Sequence, residues 1–453
     1  MSNDIFNNKE LLPNEENIYQ AFLKDSVNRV DLVFSLFEMI NSPSFDISSI
    51  AIDGHWGSGK TFFIKMLIML INAKAVKSDL KEEYKKVILQ IEQRYSYKKT
   101  ESIITPIYYD SWQNDSMSDP ILSLIYTICK QVQTDKKFSS EIEKIVKSMT
   151  KGISNFLLKI LENYAQLSGL TEIKEAICRA FKSDSPFVSV IDTEELGKNI
   201  RNLLNEIVKD KSLVIFIDEL DRCKPPFAIK LLESIKHYFY NEKILFVFSV
   251  NLDELQHSVK CVYGQNFDSY RYLDRFFNVR FNFPPVDVRA YLGKESSISN
   301  IKGNALEITA SLARAYKLEL REICKFGAQV KLMTKNINFY RYDPYETAYE
   351  FINLIFVPIA LCLKFVDLEQ YNDFMSGNGQ EILKKLFPID YIRKSCSLYL
   401  GNQENISYDK LCSKLIDAYN LLFNQGITIR RIGDCEFDSH CSERFSRIVG
   451  FFG

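Results

Sequence analysis

This chain has no excess of either charge. Its 453 residues carry 57 basic and 58 acidic side chains, a net charge of −1. That excludes adhesion of the whole molecule to nucleic acid or an anionic membrane, and leaves only local basic patches to consider. Glycine is scarce, at 17 residues against 33 Phe and 24 Tyr, so a packed structure with few flexible linkers is expected. The N-terminus, MSNDIFNNKELLPNEEN, has neither the basic nor the apolar stretch of a secretory leader. The longest apolar run, Phe351 to Val366, is interrupted by Asn353, Pro358 and Lys364 and falls short of the about 18 residues of a spanning helix. It reads as a buried core helix kinked or broken at Pro358, with no membrane span. There is no internal repeat and no low-complexity segment.

Ten cysteines are scattered along the chain, as suits free thiols in a reducing, cytoplasmic setting. The one cluster, Cys435, His440 and Cys441, has three candidate ligands with two adjacent, fewer than the four that a structural zinc site needs.

Against those absences stands an alternation of strands and helices. Asp46–Asp53, Ile103–Tyr109, Leu213–Ile217, Ile244–Val250 and Phe277–Phe283 read as five strands, and from Asn304 onward the pattern is mostly helical. Continuous apolar strands separated by helices argue a parallel sheet covered on both faces. We expect a core over residues 1–290, with a helical insert at about residues 115–205, and a helical C-terminal domain over 291–453.

Two motifs fall at strand ends. Gly54-His55-Trp56-Gly57-Ser58-Gly59-Lys60-Thr61, followed by Phe62, fits G-x-x-x-x-G-K-[ST]. Glycines let successive backbone N–H groups turn inward on a phosphate, and the following helix aims its positive end there. Lys60 is placed to bridge terminal phosphates and Thr61 to take a Mg²⁺ position. The strand from Leu213 ends in Asp218 and Glu219. Asp218 is the candidate magnesium aspartate and Glu219 the candidate base that polarises an attacking water. A helix cap with a first-turn acid is the competing reading of this pair. Lys60 and Asp218 lie 158 positions apart (218 − 60), far more than the about 30 of one strand–helix–strand unit, so an insert lies between them.

Several segments then resemble the KAP family of P-loop NTPases, a branch of the additional-strand, catalytic-glutamate class. They are GHWGSGKT at 54–61, Asp110-Ser111-Trp112-Gln113, Ile217-Asp218-Glu219-Leu220-Asp221-Arg222-Cys223, Phe248-Ser249-Val250-Asn251-Leu252-Asp253, Tyr272-Leu273-Asp274-Arg275-Phe276 and Asp25-Ser26-Val27-Asn28-Arg29. The likeness runs from Phe22 to Pro285. It implies a P-loop NTPase core that binds ATP and Mg²⁺, and a link of bacterial members to anti-phage defence. It also implies a sensor role for Asn251, with a helix cap as the competing reading, and a trans-acting arginine at Arg275, with Arg222 as its competitor. Arg321 resembles a lid sensor, and the Asp25–Arg29 segment is implied near the adenine. Trp56 either stacks on a base or packs under its loop, and Asp221 orients either Glu219 or Arg222. Many family members carry transmembrane helices in the insert. Here the Pro120–Arg179 stretch is studded with charge, so a copy without that span is expected.

The reading is an ATPase switch that assembles as a homo-oligomer and signals to an effector or sensor protein. One alternative is a DNA-dependent ATPase of the initiator or helicase-loader kind, using Arg430, Arg431, Arg444 and Arg447. The other is a nucleotide-binding scaffold without turnover, against which the set Lys60, Thr61, Asp218 and Glu219 argues.

Overall fold

The computed structural model describes residues 12–42, 47–75, 80–94, 104–116, 120–132, 200–202, 204–205, 207–209, 211–239, 241–294, 303–334, 344–401, 406–423 and 429–451. The chain divides into two compact units. One holds Arg29–Trp56 and Lys60–Pro284; the other holds Met1–Asn28, Gly57–Gly59 and Pro285–Gly453. Most of the insert expected at residues 115–205 lies outside the described residues.

The first unit is built on a sheet of five parallel strands. These are β1 (Ser49–Asp53), β2 (Ile104–Asp110), β3 (Ser212–Asp218), β4 (Ile244–Val250) and β5 (Val279–Asn282). Their order is β2-β3-β4-β1-β5, and every neighbouring pair is parallel. The acidic strand β3 is therefore separated from the glycine-loop strand β1 by β4, the arrangement of the additional-strand class. β3 and β4 are apolar along nearly their whole length because both sheet faces are covered.

Alternation sorts the side chains. Leu213, Ile215, Ile217, Phe246 and Phe248 share one core with the helices Pro120–Val132, Pro225–Tyr238 and Leu252–Tyr263. Val214, Phe216 and Val247 are buried outside that core, on the other face. The helix Lys60–Lys74 packs on β2 and β4 and against Val30–Ile40 and Glu82–Arg94. It is apolar nearly all round, with Phe63, Ile64, Leu67, Leu70 and Ile71 buried, as a helix trapped between sheet and neighbours must be.

The second unit is mostly helical. Its core gathers Ile308, Phe326, Phe351, Phe356, Leu363, Phe387, Leu415 and Phe445, among others. The helix does not break at Pro358. It runs from Pro344 to Val366 with Ile352–Phe356 in π-helical form, where the Val357 N–H donates to Ile352 O. The wider turn accommodates a ring that cannot donate to the turn before it. Among the described residues, one helix, Tyr345–Val366, is long and apolar enough to cross a membrane, and 72% of its apolar stretch is buried in the fold. A two-stranded hairpin, Arg430–Ile432 with Cys435–Phe437, adds to the helices. Its tight turn needs glycine. Gly433 sits at φ +64°, and a Cβ there would lie 2.5 Å from Leu400 Cα and Tyr399 O.

Candidate nucleotide site

The site is assembled where β1, β3 and β4 end. β1 runs directly into the glycine loop. Its last residue, Asp53, accepts the Phe283 N–H (2.6 Å) through its carbonyl and the Leu252 N–H (2.8 Å) through Oδ1. The Gly54 N–H donates to Val250 O (3.1 Å). These bonds fix the loop's entry against β4 and β5. Along the loop, Gly57 and Gly59 take φ +85° and +93°, flanking buried Ser58. Such a backbone turns successive N–H groups toward one concave side, as an anion nest does. The helix that begins at Lys60 adds its N-terminal N–H groups. Gly57 O accepts the Arg321 N–H (3.3 Å) within the same unit.

Lys60 is buried, and its ammonium donates to Gly54 O (2.5 Å) and His55 O (3.0 Å). Burial pulls its pKa down, while Asp221, Asp218, Glu219 and Asp53 pull it back up. Thr61 and Phe62 are half-buried beside it, and His55 and Trp56 are exposed.

Asp218 is buried at the end of β3. Its Oδ1 accepts the Glu219 N–H (3.0 Å) and its Oδ2 the Tyr108 hydroxyl (3.0 Å). In register beside it stands Asp110. Burial raises the Asp110 pKa, the Gln113 N–H opposes this, and the Asp218 charge raises it further. Lys65 lies over the Tyr108 ring (4.6 Å). Tyr108 and Lys65 belong to the site and have no motif signature.

Glu219 follows in a left-handed conformation (φ 59°, ψ 24°), which costs a non-glycine residue about 1–2 kcal/mol. Its carboxylate Oε2 lies 2.5 Å from Arg222 Nε. Burial, then the Asp218 charge, pushes its pKa up to about 7, against the pull of Arg222. Asp221 accepts the Trp56 indole N–H and a bond from the Asn251 backbone. Its side chain is thus bonded to the phosphate loop through Trp56. Asn251 is buried and accepts the Asp253 N–H (3.2 Å), so its side chain caps the helix Leu252–Tyr263.

Other candidates have contacts of their own. Arg275 is exposed at the end of the helix Ser269–Asp274, its carbonyl accepting Lys236 Nζ (3.1 Å). Arg29 is buried over the Phe283 ring (3.9 Å) and donates to Pro284 O (2.9 Å), a packing role. Arg431 faces Glu436 (3.9 Å) and Arg444 lies over Tyr349 (4.4 Å). Asp434, Glu436, Asp438 and Glu443 intersperse the four arginines of that region in the sequence. Among the described residues no three His, Cys, Asp or Glu side chains group as a metal site, Cys435, His440 and Cys441 included. The donor set of Thr61, Asp218 and a phosphate is the kind that suits Mg²⁺, which keeps waters and takes few protein ligands.

Residues 32–311 match the KAP family P-loop domain. Over 159 residues the chain is 27% identical to the uncharacterized protein MJ0182 of Methanocaldococcus jannaschii, covering 29% of this chain and 82% of that protein. Among solved structures, the Aeropyrum pernix ORC1 protein in complex with DNA aligns over 98% of both chains at 12% identity and TM-score 0.33. The Aeropyrum pernix ORC2 protein aligns over 96% of this chain and 93% of that one, at 10% identity and TM-score 0.25.

Proposed function

Because this chain belongs to the KAP family of P-loop NTPases, we propose that it is a Mg²⁺-dependent ATP hydrolase acting as a nucleotide-driven switch or assembly ATPase. One observation carries the reading. A glycine nest with a buried lysine, and an aspartate–glutamate pair, are brought to the same end of one sheet, and Lys60 sits in the field of Asp218, Glu219 and Asp221.

The main chain of Gly54–Phe62 cradles the phosphates, and Lys60 neutralises their charge. Thr61 and Asp218 would hold Mg²⁺, which when bound supplies charge neutralisation on the phosphate oxygens. Glu219 takes a proton from the attacking water. Asn251, next to the acidic strand, senses the terminal phosphate, and Arg275 completes a neighbouring subunit's site. The core over residues 1–290 does this chemistry, and the helical region over 291–453 relays it to an effector or sensor protein. An oligomer, a cytoplasmic setting and a role in bacterial anti-phage defence are supported by the family and the scattered thiols alone.

The test is ATP hydrolysis and ATP binding by wild type and Glu219→Gln. Binding by both, with turnover by wild type alone, is the expected result. Equal turnover by both removes Glu219 as base, and absence of binding removes the reading.

A further inference from the structure

Arg222 was a candidate for a finger reaching into a neighbour, and the geometry gives it a different occupation. Its Nε lies 2.5 Å from Glu219 Oε2, and both side chains are mostly buried. The turn enforces the contact. Glu219 is left-handed, its carbonyl accepts the Arg222 N–H (3.2 Å), and the 3₁₀ turn Leu220–Arg222 follows at once. The neighbouring acids have other donors, Tyr108 on Asp218 and Trp56 on Asp221. On its other side the Arg222 guanidinium lies over the ring of Trp112, 5.5 Å from the centroid. Trp112 sits on the short helix Ser111–Asn114 directly after β2 and is 53% exposed. A general base needs a free lone pair directed at its water. Here one carboxylate oxygen is held by a guanidinium, and that guanidinium rests on a ring open to solvent.

We propose that Arg222, seated on Trp112, is a brake on Glu219. It holds the carboxylate in the turn, and lifting Arg222 from the Trp112 ring frees the base for turnover. Arg222 and Trp112 are positioning residues in this scheme, and the exposed ring is where a surface event reaches the chemistry. The brake rests on Glu219 being the base.

The experiment measures kcat and ATP affinity of the full chain for wild type, Arg222→Ala, Trp112→Ala, Trp112→Phe, the Arg222→Ala/Trp112→Ala double variant and Glu219→Gln. Release of a partly exposed ion pair raises kcat about 5-fold in Arg222→Ala, and loss of the stacking platform raises it about 2- to 5-fold in Trp112→Ala. ATP affinity is unchanged in both. Trp112→Phe keeps a ring and behaves as wild type. The double variant matches Arg222→Ala, because the two act through one contact. A purely structural role does not produce a gain, a phenylalanine rescue and this non-additivity together. A fall in kcat for Arg222→Ala with ATP affinity intact overturns the brake and returns Arg222 to an assisting role, as do additive effects in the double variant. If wild type turns over too slowly to detect, the brake stands when Arg222→Ala brings turnover into range and falls when it does not. Glu219→Gln separates the two levels. Turnover equal to wild type there removes Glu219 as the base and the brake with it, whereas an inactive Glu219→Gln beside a slowed Arg222→Ala sinks the brake alone.

Discussion

The Tyr108 hydroxyl donates to Asp218 Oδ2 at 3.0 Å from one pleat back on the neighbouring strand. With the Glu219 N–H on Oδ1, this bond sets the rotation of the carboxylate that would hold Mg²⁺. One such hydrogen bond contributes about 1 kcal/mol, or about 5-fold in an equilibrium. Tyr108→Phe is therefore expected to need about 5-fold more Mg²⁺ for half-maximal turnover, with kcat at saturating Mg²⁺ little changed. A Mg²⁺ titration of both proteins checks it, and an unshifted midpoint takes the hydroxyl out of the site.

Lys60 and Glu219 separate binding from chemistry. Lys60 donates from inside the loop, 2.5 Å from Gly54 O, and Glu219 stands at the end of another strand. Removing one preorganised cation that faces transferring phosphates costs about 10²–10³ in rate. Lys60→Ala should lose ATP affinity together with at least about 100-fold in turnover. Glu219→Gln should keep affinity and lose about 10²–10⁴ in turnover. Calorimetric binding next to a phosphate-release assay distinguishes the two.

Trp56 and Asp221, 165 positions apart, join the phosphate loop to the turn after the acidic strand. Burial raises the Asp221 pKa, and the indole N–H opposes that rise by stabilising the carboxylate. Trp56→Phe keeps an aromatic ring and deletes the donor, at a cost of about 1.5–3 kcal/mol for a hydrogen bond to a charged group. The sign of the pH dependence follows. The lost bond is one to the ionised carboxylate, so the cost is full only at pH above the raised pKa. It shrinks as pH falls and Asp221 protonates in both proteins. Thermal melts of both proteins at pH 7 and at progressively lower pH should show the gap in Tm closing toward acid.

Much of this site was legible before any coordinates. A phosphate loop has to be written in consecutive residues, because the backbone does the binding. A buried parallel strand has to be a continuous apolar run, so the run ending in Asp218 and Glu219 announced itself. What did not show was contact across long separations. Tyr108 is one more aromatic in an apolar strand until the register sets it beside Asp218. Asp221 had two candidate partners nearby in sequence, and its real one is Trp56. Arg222 read as a reaching arginine because nothing in sequence shows the left-handed turn at Glu219 that folds the two together. Pro358 read as a kink or a break because a π turn, which absorbs it, has no periodicity signal of its own. The hairpin at Arg430–Phe437 has strands of three residues, too short to stand out in a helical region.

Gly433 tests the hairpin. Its φ of +64° strains any L side chain, and a Cβ would lie 2.5 Å from both Leu400 Cα and Tyr399 O, backbone that cannot swing aside. Gly433→Ala should destabilise the C-terminal unit by about 2–3 kcal/mol from strain and overpacking. Asp434→Ala, at the adjacent exposed position, should stay within about 0.5 kcal/mol. Urea unfolding of the two variants decides it, and equal midpoints would mean that the turn relaxes away from Leu400.

Arg275 carries the claim that sites are completed between subunits. It is exposed, it ends a helix, and among the described residues it forms no ion pair, whereas nearby Arg280 is committed to Asp274 and to the Tyr270 and Phe277 rings. Arg222 is occupied by Glu219, so Arg275 is the better placed of the two to leave its own subunit. A transition-state arginine contributes about 10³-fold or more. Arg275→Ala should therefore lose about that much turnover while keeping ATP affinity, and wild-type specific activity should rise with protein concentration. The decisive measurement mixes two inactive proteins. In an Arg275→Ala/Glu219→Gln mixture, some interfaces pair an intact Glu219 with an intact Arg275 from the neighbour, and activity returns at those interfaces alone. An arginine that acts within its own chain cannot be supplied by a neighbour, so a mixture as inactive as its components would place Arg275 in cis and leave the oligomer without a catalytic role.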